Sequence, residues 1–193
     1  MNHETDLPEG WKIDSTKHIH TNEFIRVYED TINIRGTEKI YTRIKRKDYS
    51  TIVPFISADR ILVIKSYRHL VNSVQIEVPS GYIETGEDPQ EAALRELREE
   101  TGYSAKQIIK IGTYTLDYTM FEQVGNLFIG YDLLYEGKQE LGTMELIQPA
   151  FLRVEEIMKL LSEGKILNAS SIVAFYRAID FHLNMQHNDI QET

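Results

Sequence analysis

"GYIETGEDPQEAALRELREETGY", running from Gly81 to Tyr103, opens as an acidic turn between glycines and continues as a short segment crowded with glutamates. Asp88-Pro89 marks a helix start, because aspartate caps free N–H groups and proline suits the first helical position. Glu91, three residues after the cap, completes a capping-box pattern, and Gly102 supplies a left-handed stop. The helix between them is about a dozen residues, or about 20 Å at roughly 1.5 Å per residue. Placed at about 100° per residue, Ala93, Leu94 and Leu97 share one side, which is expected to pack on a sheet. Glu96, Glu99 and Glu100 share the neighbouring stripe, with Arg95 at its edge and Glu91 and Arg98 on the solvated remainder.

Three carboxylates on one stripe do not help the helix. Glu96 and Glu100 are a like-charge i,i+4 pair that costs about 0.2–0.5 kcal/mol, and the C-terminal end of the macrodipole already disfavours anions. Arg95 offsets part of this through its i,i+4 relation to Glu99, and an oxygen-preferring cation such as Mg²⁺ would offset more. From charge alone, a solvated acidic face is the commoner outcome.

Outside this stretch the chain reads as strands, then helices. "FIRVYEDTINI" and "IYTRIKRK", joined at "RGTEK", predict a β-hairpin within 24–47. "TIVPFI", "ILVIKSYRH" and "VQIEVPSGYIE" lead into the glutamate helix as strands of a mixed sheet, and "IIKIGTYTL", "GNLFIGYDLLY" and "ELIQPAFLRV" follow it. "VEEIMKLLSEGKI" and "SSIVAFYRAIDFHLNM" are helical, and 187–193 is expected to be a flexible tail. The pattern predicts an α+β fold, an α/β/α sandwich with a mixed sheet and an N-terminal hairpin extension. Its expected divisions are 1–47 as the extension, 48–186 as the main domain and 187–193 as the tail.

With 193 residues and 41% hydrophobic content the chain can bury one well-packed core. A formal net charge of −9 argues against nucleic-acid or anionic-membrane partners. Cysteine is absent, which excludes disulfides, thiolate metal sites and a cysteine nucleophile together. The N-terminus does not read as a signal peptide and no window approaches the ~20 apolar residues of a membrane span, so a cytoplasmic location is expected.

From Gly81 the order is Gly, five positions, Glu87, seven positions, then Arg95-Glu96-Leu97-Arg98-Glu99-Glu100-Thr101-Gly102. This resembles the box of the Nudix hydrolase family, with Tyr103 standing where an aliphatic residue is usual. The resemblance implies an α/β/α sandwich and cleavage, by water attack on phosphorus, of a nucleoside diphosphate linked to another moiety. It also implies Mg²⁺ or Mn²⁺ held by Glu96, Glu99 and Glu100, with the carbonyl of Ser80 and the bare backbone of Gly81 beside the metal. Arg95 and Glu87 are expected to form an ion pair that orients these ligands.

"SYRHLVNSVQIEVPSGYIETGE" further resembles the ADP-ribose pyrophosphatase branch, which implies that Arg68 contacts the diphosphate and that Glu77 lies in the substrate site. The N-terminal strands of that branch commonly build a homodimer, so 1–47 is expected to be a dimerisation element. A proline is typical downstream of the box in ADP-ribose hydrolysing members, yet none lies between Pro89 and Pro149; "LDYTMFEQVGNLF" stands there instead, with Tyr118, Phe121 and Glu122 as candidate contacts or as loop-packing residues. The general base is expected in "YEGKQELGTMELI", with Glu145 preferred over Glu140 and Glu99 as the competitor.

The expected reaction is hydrolysis of ADP-ribose to AMP and ribose 5-phosphate. Other nucleotide sugars such as GDP-mannose, dinucleotides such as NADH, and a non-catalytic nucleotide-sensing domain are the alternatives. His18 and His20 have no clear third partner and receive no role, and Lys45 to Lys47 read as an edge-strand charge cluster.

Overall fold

The computed structural model of the chain describes residues 7–142 and 146–191. Two compact units are present: one comprises the described residues up to Lys47 together with Thr115–Gln123, and the other comprises Asp48–Tyr114 with the described residues from Val124 onward.

The larger unit is built on β4 (Tyr49–Ser57), β5 (Arg60–Arg68), β10 (Gly125–Tyr135), β8 (Tyr103–Tyr114) and β11 (Ile147–Arg153), in the order β11-β5-β4-β10-β8. The short strands β6 (Ser73–Glu77) and β7 (Ser80–Tyr82) pair with β5 and β4. The sheet is mixed: β10 runs parallel to β4, whereas β8, β5 and β11 pair antiparallel with their neighbours. Adjacent residues along the central strands face opposite layers. Ile52, Leu62 and Phe128 pack with Ala93 and Leu97 of α1 (Pro89–Thr101) on one face. Val53, Val63, Leu127 and Ile129 pack with Ile157 of α2 (Val154–Ser162) and Phe175 and Ala178 of α3 (Ala169–Gln191) on the other. Coverage of both faces explains why these strands read as continuous apolar runs rather than as alternating ones. The expected α+β sandwich is therefore the observed fold.

The smaller unit is a four-stranded sheet in the order β1-β2-β3-β9, from β1 (Trp11–Thr21), β2 (Arg26–Ile34), β3 (Thr37–Lys45) and β9 (Phe121–Glu122). The expected hairpin is its centre, and two strands extend it. β1 escaped the periodicity reading because its register with β2 shifts between Ile13 and Ser15 and again between His18 and His20, which breaks the alternation. β9 lies parallel to β3 and is fastened by charge. Arg43 donates to Asp30 and Glu122, each at 2.7 Å, Lys45 reaches Glu122 at 2.5 Å, and the Arg43 guanidinium lies 4.4 Å from the centre of the Tyr28 ring.

One terminal expectation differs. α3 continues to Gln191, through residues assigned above to a tail, because no proline or glycine interrupts "NMQHNDIQ" and adding residues to an existing helix costs little. No helix among the described residues is long and apolar enough to cross a membrane.

Candidate active site

The helix α1 begins as its sequence requires. The Asp88 carboxylate accepts from the Gln90 N–H at 2.8 Å, and the Glu91 carboxylate accepts from the Asp88 N–H at 3.4 Å. At the other end Gly102 adopts φ 75° and donates its N–H to the Arg98 carbonyl at 2.7 Å. The buried arc differs from the expected one: Ala92, Ala93, Leu97, Glu100 and Thr101 are buried, while Leu94 is only half-buried. The arc is centred near Ala93, so it takes in Glu100 and leaves Leu94 at its border. Helical periodicity gives relative angles, whereas the neighbouring turn at Gly81 decides which side faces inward.

That turn meets the glutamates closely. The Ser80 N–H donates to Glu100 Oε2 at 3.0 Å, which holds the carboxylate of a residue only 6% exposed. A Cβ on Gly81 would lie 2.0 Å from Glu96 Oε1, so any side chain there would displace the Glu96 carboxylate. Close approach, not an unusual φ, is what requires glycine at 81.

Arg95 ties the turn and helix together. Its Nε and Nη2 bond Glu87 Oε1 and Oε2 at 2.8 and 3.0 Å, and Nη2 also donates to the Tyr82 carbonyl at 2.9 Å. Its Nη1 bonds Glu96 Oε1 at 2.6 Å and Glu99 Oε2 at 3.1 Å. The hydrogen bonds from Arg95 hold the Glu87 carboxyl below the usual range for glutamate. The bonds from Glu87, Glu96 and Glu99 hold the Arg95 guanidinium above its ordinary value, so it remains a fixed positive charge.

Among the described residues no three His, Cys, Asp or Glu side chains converge closely enough to hold a metal ion as they stand. The Arg95 guanidinium instead supplies the positive charge between Glu96 and Glu99. The donor set nevertheless fits a hard divalent cation. It offers carboxylate oxygens from one helix stripe, beside a backbone kept bare by Gly81.

The remaining expected residues are distributed as follows. Arg68 and Glu77 face each other from β5 and β6, joined by Nε to Oε1 at 3.0 Å and Nη2 to Oε2 at 2.5 Å. Glu77 is 2% exposed, and this buried carboxylate is partnered by the Arg68 guanidinium, a pairing not read from the sequence. Glu145 lies outside the described residues. Glu140 is exposed and donates its main-chain N–H to the Glu99 carbonyl at 2.9 Å. In the smaller unit Glu122 is engaged by Arg43 and Lys45, half-buried Phe121 belongs to β9, and Tyr118 stands exposed on the preceding turn. His18 bonds Thr21 Oγ1 at 2.6 Å and the His20 carbonyl at 3.0 Å, a local arrangement that gathers no third ligand.

Sequence reasoning missed Gln139 and the Tyr82 carbonyl. Both act through contacts distant along the chain, and Gln139 reaches the Glu100 carbonyl from 39 positions away. No local pattern marks either one.

Comparison with known proteins bears on this geometry. The NUDIX domain model matches residues 46–172. The ADP-ribose pyrophosphatase of Bacillus subtilis (strain 168) is 26% identical over 158 residues, covering 81% of this chain and 85% of that protein. The methanol dehydrogenase activator of Bacillus methanolicus is 23% identical over 161 residues, covering 82% and 87%. Among solved structures, an ADP compounds hydrolase matches with a TM-score of 0.81 at 20% identity over 94% of this chain and 98% of its own, a likeness of fold.

Proposed function

The chain belongs to the Nudix hydrolase family, and from that membership we propose that it cleaves the diphosphate of ADP-ribose, giving AMP and ribose 5-phosphate, with Mg²⁺ or Mn²⁺ as cofactor. The observation that carries the proposal is that Glu100 accepts from the Ser80 N–H and Glu96 abuts the bare backbone of Gly81, while Arg95 bonds both Glu96 and Glu99 on the same helix stripe. The choice of ADP-ribose rests on the B. subtilis relative and on the Arg68–Glu77 pair within "SYRHLVNSVQIE".

In this reading the three glutamates, with the Ser80 carbonyl, would hold the cation. When bound, it supplies charge neutralisation at the phosphate oxygens and a more acidic water. The chain's own residues do the remaining work. Arg95 is anchored by Glu87 and fixes the orientation of Glu96 and Glu99. Arg68, oriented by the bonds of its Nε and Nη2 to the buried Glu77, would bring its guanidinium charge to the diphosphate. Water adds to one phosphorus as the bridging P–O bond breaks, and the electron pair leaves on the oxygen of the departing phosphate. The proton of the attacking water passes to a carboxylate, for which Glu145 is preferred and Glu99 is the alternative.

The functional unit in this reading is a homodimer built through 1–47. Trp11, Ile19, Ile40 and Tyr41 of the smaller unit are exposed, and among the described residues neither buried apolar cluster includes any residue of that unit. A small sheet with exposed apolar side chains gains most from a second copy. Sedimentation equilibrium should give twice the chain mass; a monomer at tens of micromolar would remove this part of the proposal.

The activity is tested with a panel of ADP-ribose, GDP-mannose and NADH, each with Mg²⁺ and with Mn²⁺, and with products identified by mass. AMP and ribose 5-phosphate from ADP-ribose are expected. Turnover of only non-adenylate compounds would overturn the substrate, and no turnover of any would overturn the reaction.

A further inference from the structure

The carbonyls at the end of a helix have no partners within it and must find them elsewhere. At the end of α1 the Arg98 carbonyl is capped by the Gly102 N–H, and those of Glu99, Glu100 and Gly102 find partners in one segment, Glu136–Glu140, which follows β10. The Glu136 N–H donates to the Gly102 carbonyl at 2.8 Å, and the Glu140 N–H donates to the Glu99 carbonyl at 2.9 Å. Between them the Gln139 side-chain amide donates to the Glu100 carbonyl at 2.5 Å and toward the Ile147 carbonyl, at the start of β11, at 3.4 Å. A carboxamide nitrogen carries two hydrogens, and here each is directed at a carbonyl. The segment also lies against the helix end: a Cβ on Gly102 would stand 2.2 Å from the Gly137 carbonyl.

The residues held in this way are the ones that matter at the site. Glu99 and Glu100 each have a main-chain carbonyl fixed by the segment, while their carboxylates meet Arg95 and the Ser80 N–H. A shift of the last helical turn would move both carboxylates together. We propose that Gln139 is a positioning residue of the hydrolase site: by pinning the Glu100 carbonyl to β11 it sets where the Glu99 and Glu100 carboxylates stand relative to Ser80 and Gly81, and so sets the affinity for the divalent cation. This rests on the reading of Glu99 and Glu100 as metal ligands.

The test measures Mn²⁺ binding directly, from the electron paramagnetic resonance signal of free Mn²⁺, on the full chain and on three variants. Gln139→Leu keeps the bulk and removes both N–H donors. Gln139→Asn keeps the amide but falls one methylene short, and as a mild loop substitution it serves if the leucine variant folds poorly. Lys138→Ala, in the same segment but with an exposed side chain, is the control. The dissociation constant should rise about 10-fold or more in Gln139→Leu, the range seen when groups behind a metal ligand are lost, and by a smaller but resolved factor in Gln139→Asn. Lys138→Ala should stay within about 2-fold. The Mg²⁺ concentration for half-maximal hydrolysis should rise in parallel, while KM for ADP-ribose at saturating metal stays within about 2-fold, a split that mere loss of stability would not produce. Wild-type binding with both Gln139 variants unchanged would overturn the inference alone. Failure of the wild-type chain to bind Mn²⁺ would overturn the reading of the site and the inference with it.

Discussion

Arg95 and Glu87 are joined by two roughly parallel hydrogen bonds, Nε to Oε1 at 2.8 Å and Nη2 to Oε2 at 3.0 Å, between the middle of α1 and the turn that precedes it. A bidentate fork fixes direction as well as distance. The third guanidinium nitrogen is thereby aimed at Glu96 and Glu99, so one pair orients two carboxylates of the proposed metal site.

Replacing Glu87 by Gln should cost about 1.5–3 kcal/mol at pH 7, the range for a hydrogen bond to a charged partner. Arg95 holds the Glu87 carboxyl below its ordinary value in the folded chain. Its contribution is therefore present in full above the unfolded pKa of about 4.3 and is lost as pH falls through the folded value. Urea unfolding of both proteins at pH 7, 5 and 3 should show the gap narrowing only toward the acidic end. A gap undiminished at pH 3 would contradict the assignment.

Gly81→Ala places a methyl group where the Glu96 carboxylate stands. The cost to folding should be about 1–3 kcal/mol, as for overpacking elsewhere. Turnover should fall further, by about 10- to 100-fold, because the displaced carboxylate is a proposed metal ligand. The check is kcat at saturating metal beside the thermal midpoint; full activity in a folded variant would rule out a requirement for glycine there.

Arg68→Lys retains charge but loses the planar fork that faces Glu77. KM for the nucleotide sugar should rise about 10-fold with kcat within about 3-fold, as expected when binding common to ground and transition states is lost. An unchanged KM would confine Arg68 to neutralising the buried Glu77.

What the sequence disclosed follows the range of the interactions involved. The start and stop of α1 were legible because Asp88, Glu91 and Gly102 act on backbone within a few residues of themselves. The two-layer burial of β4, β5 and β10 was legible because apolar runs such as "TIVPFI" require cover on both faces. Burial of Glu100 was not, since it depends on the turn at Ser80, 20 positions earlier. Glu122 could not be told from a substrate contact for the same reason: its partner Arg43 lies 79 residues away. The Gln139 bond to the Glu100 carbonyl lacked even a charge or a glycine to mark it.

Glu100→Gln tests most directly whether Glu96, Glu99 and Glu100 form the proposed metal-dependent hydrolytic site. Glutamine keeps an oxygen to accept the Ser80 N–H, so the fold should persist with a thermal midpoint within a few degrees of wild type. With ADP-ribose and Mg²⁺, release of AMP should fall at least about 100-fold, the scale expected when charge at a reacting centre is removed. A folded Glu100→Gln chain that releases AMP at the wild-type rate would contradict the account.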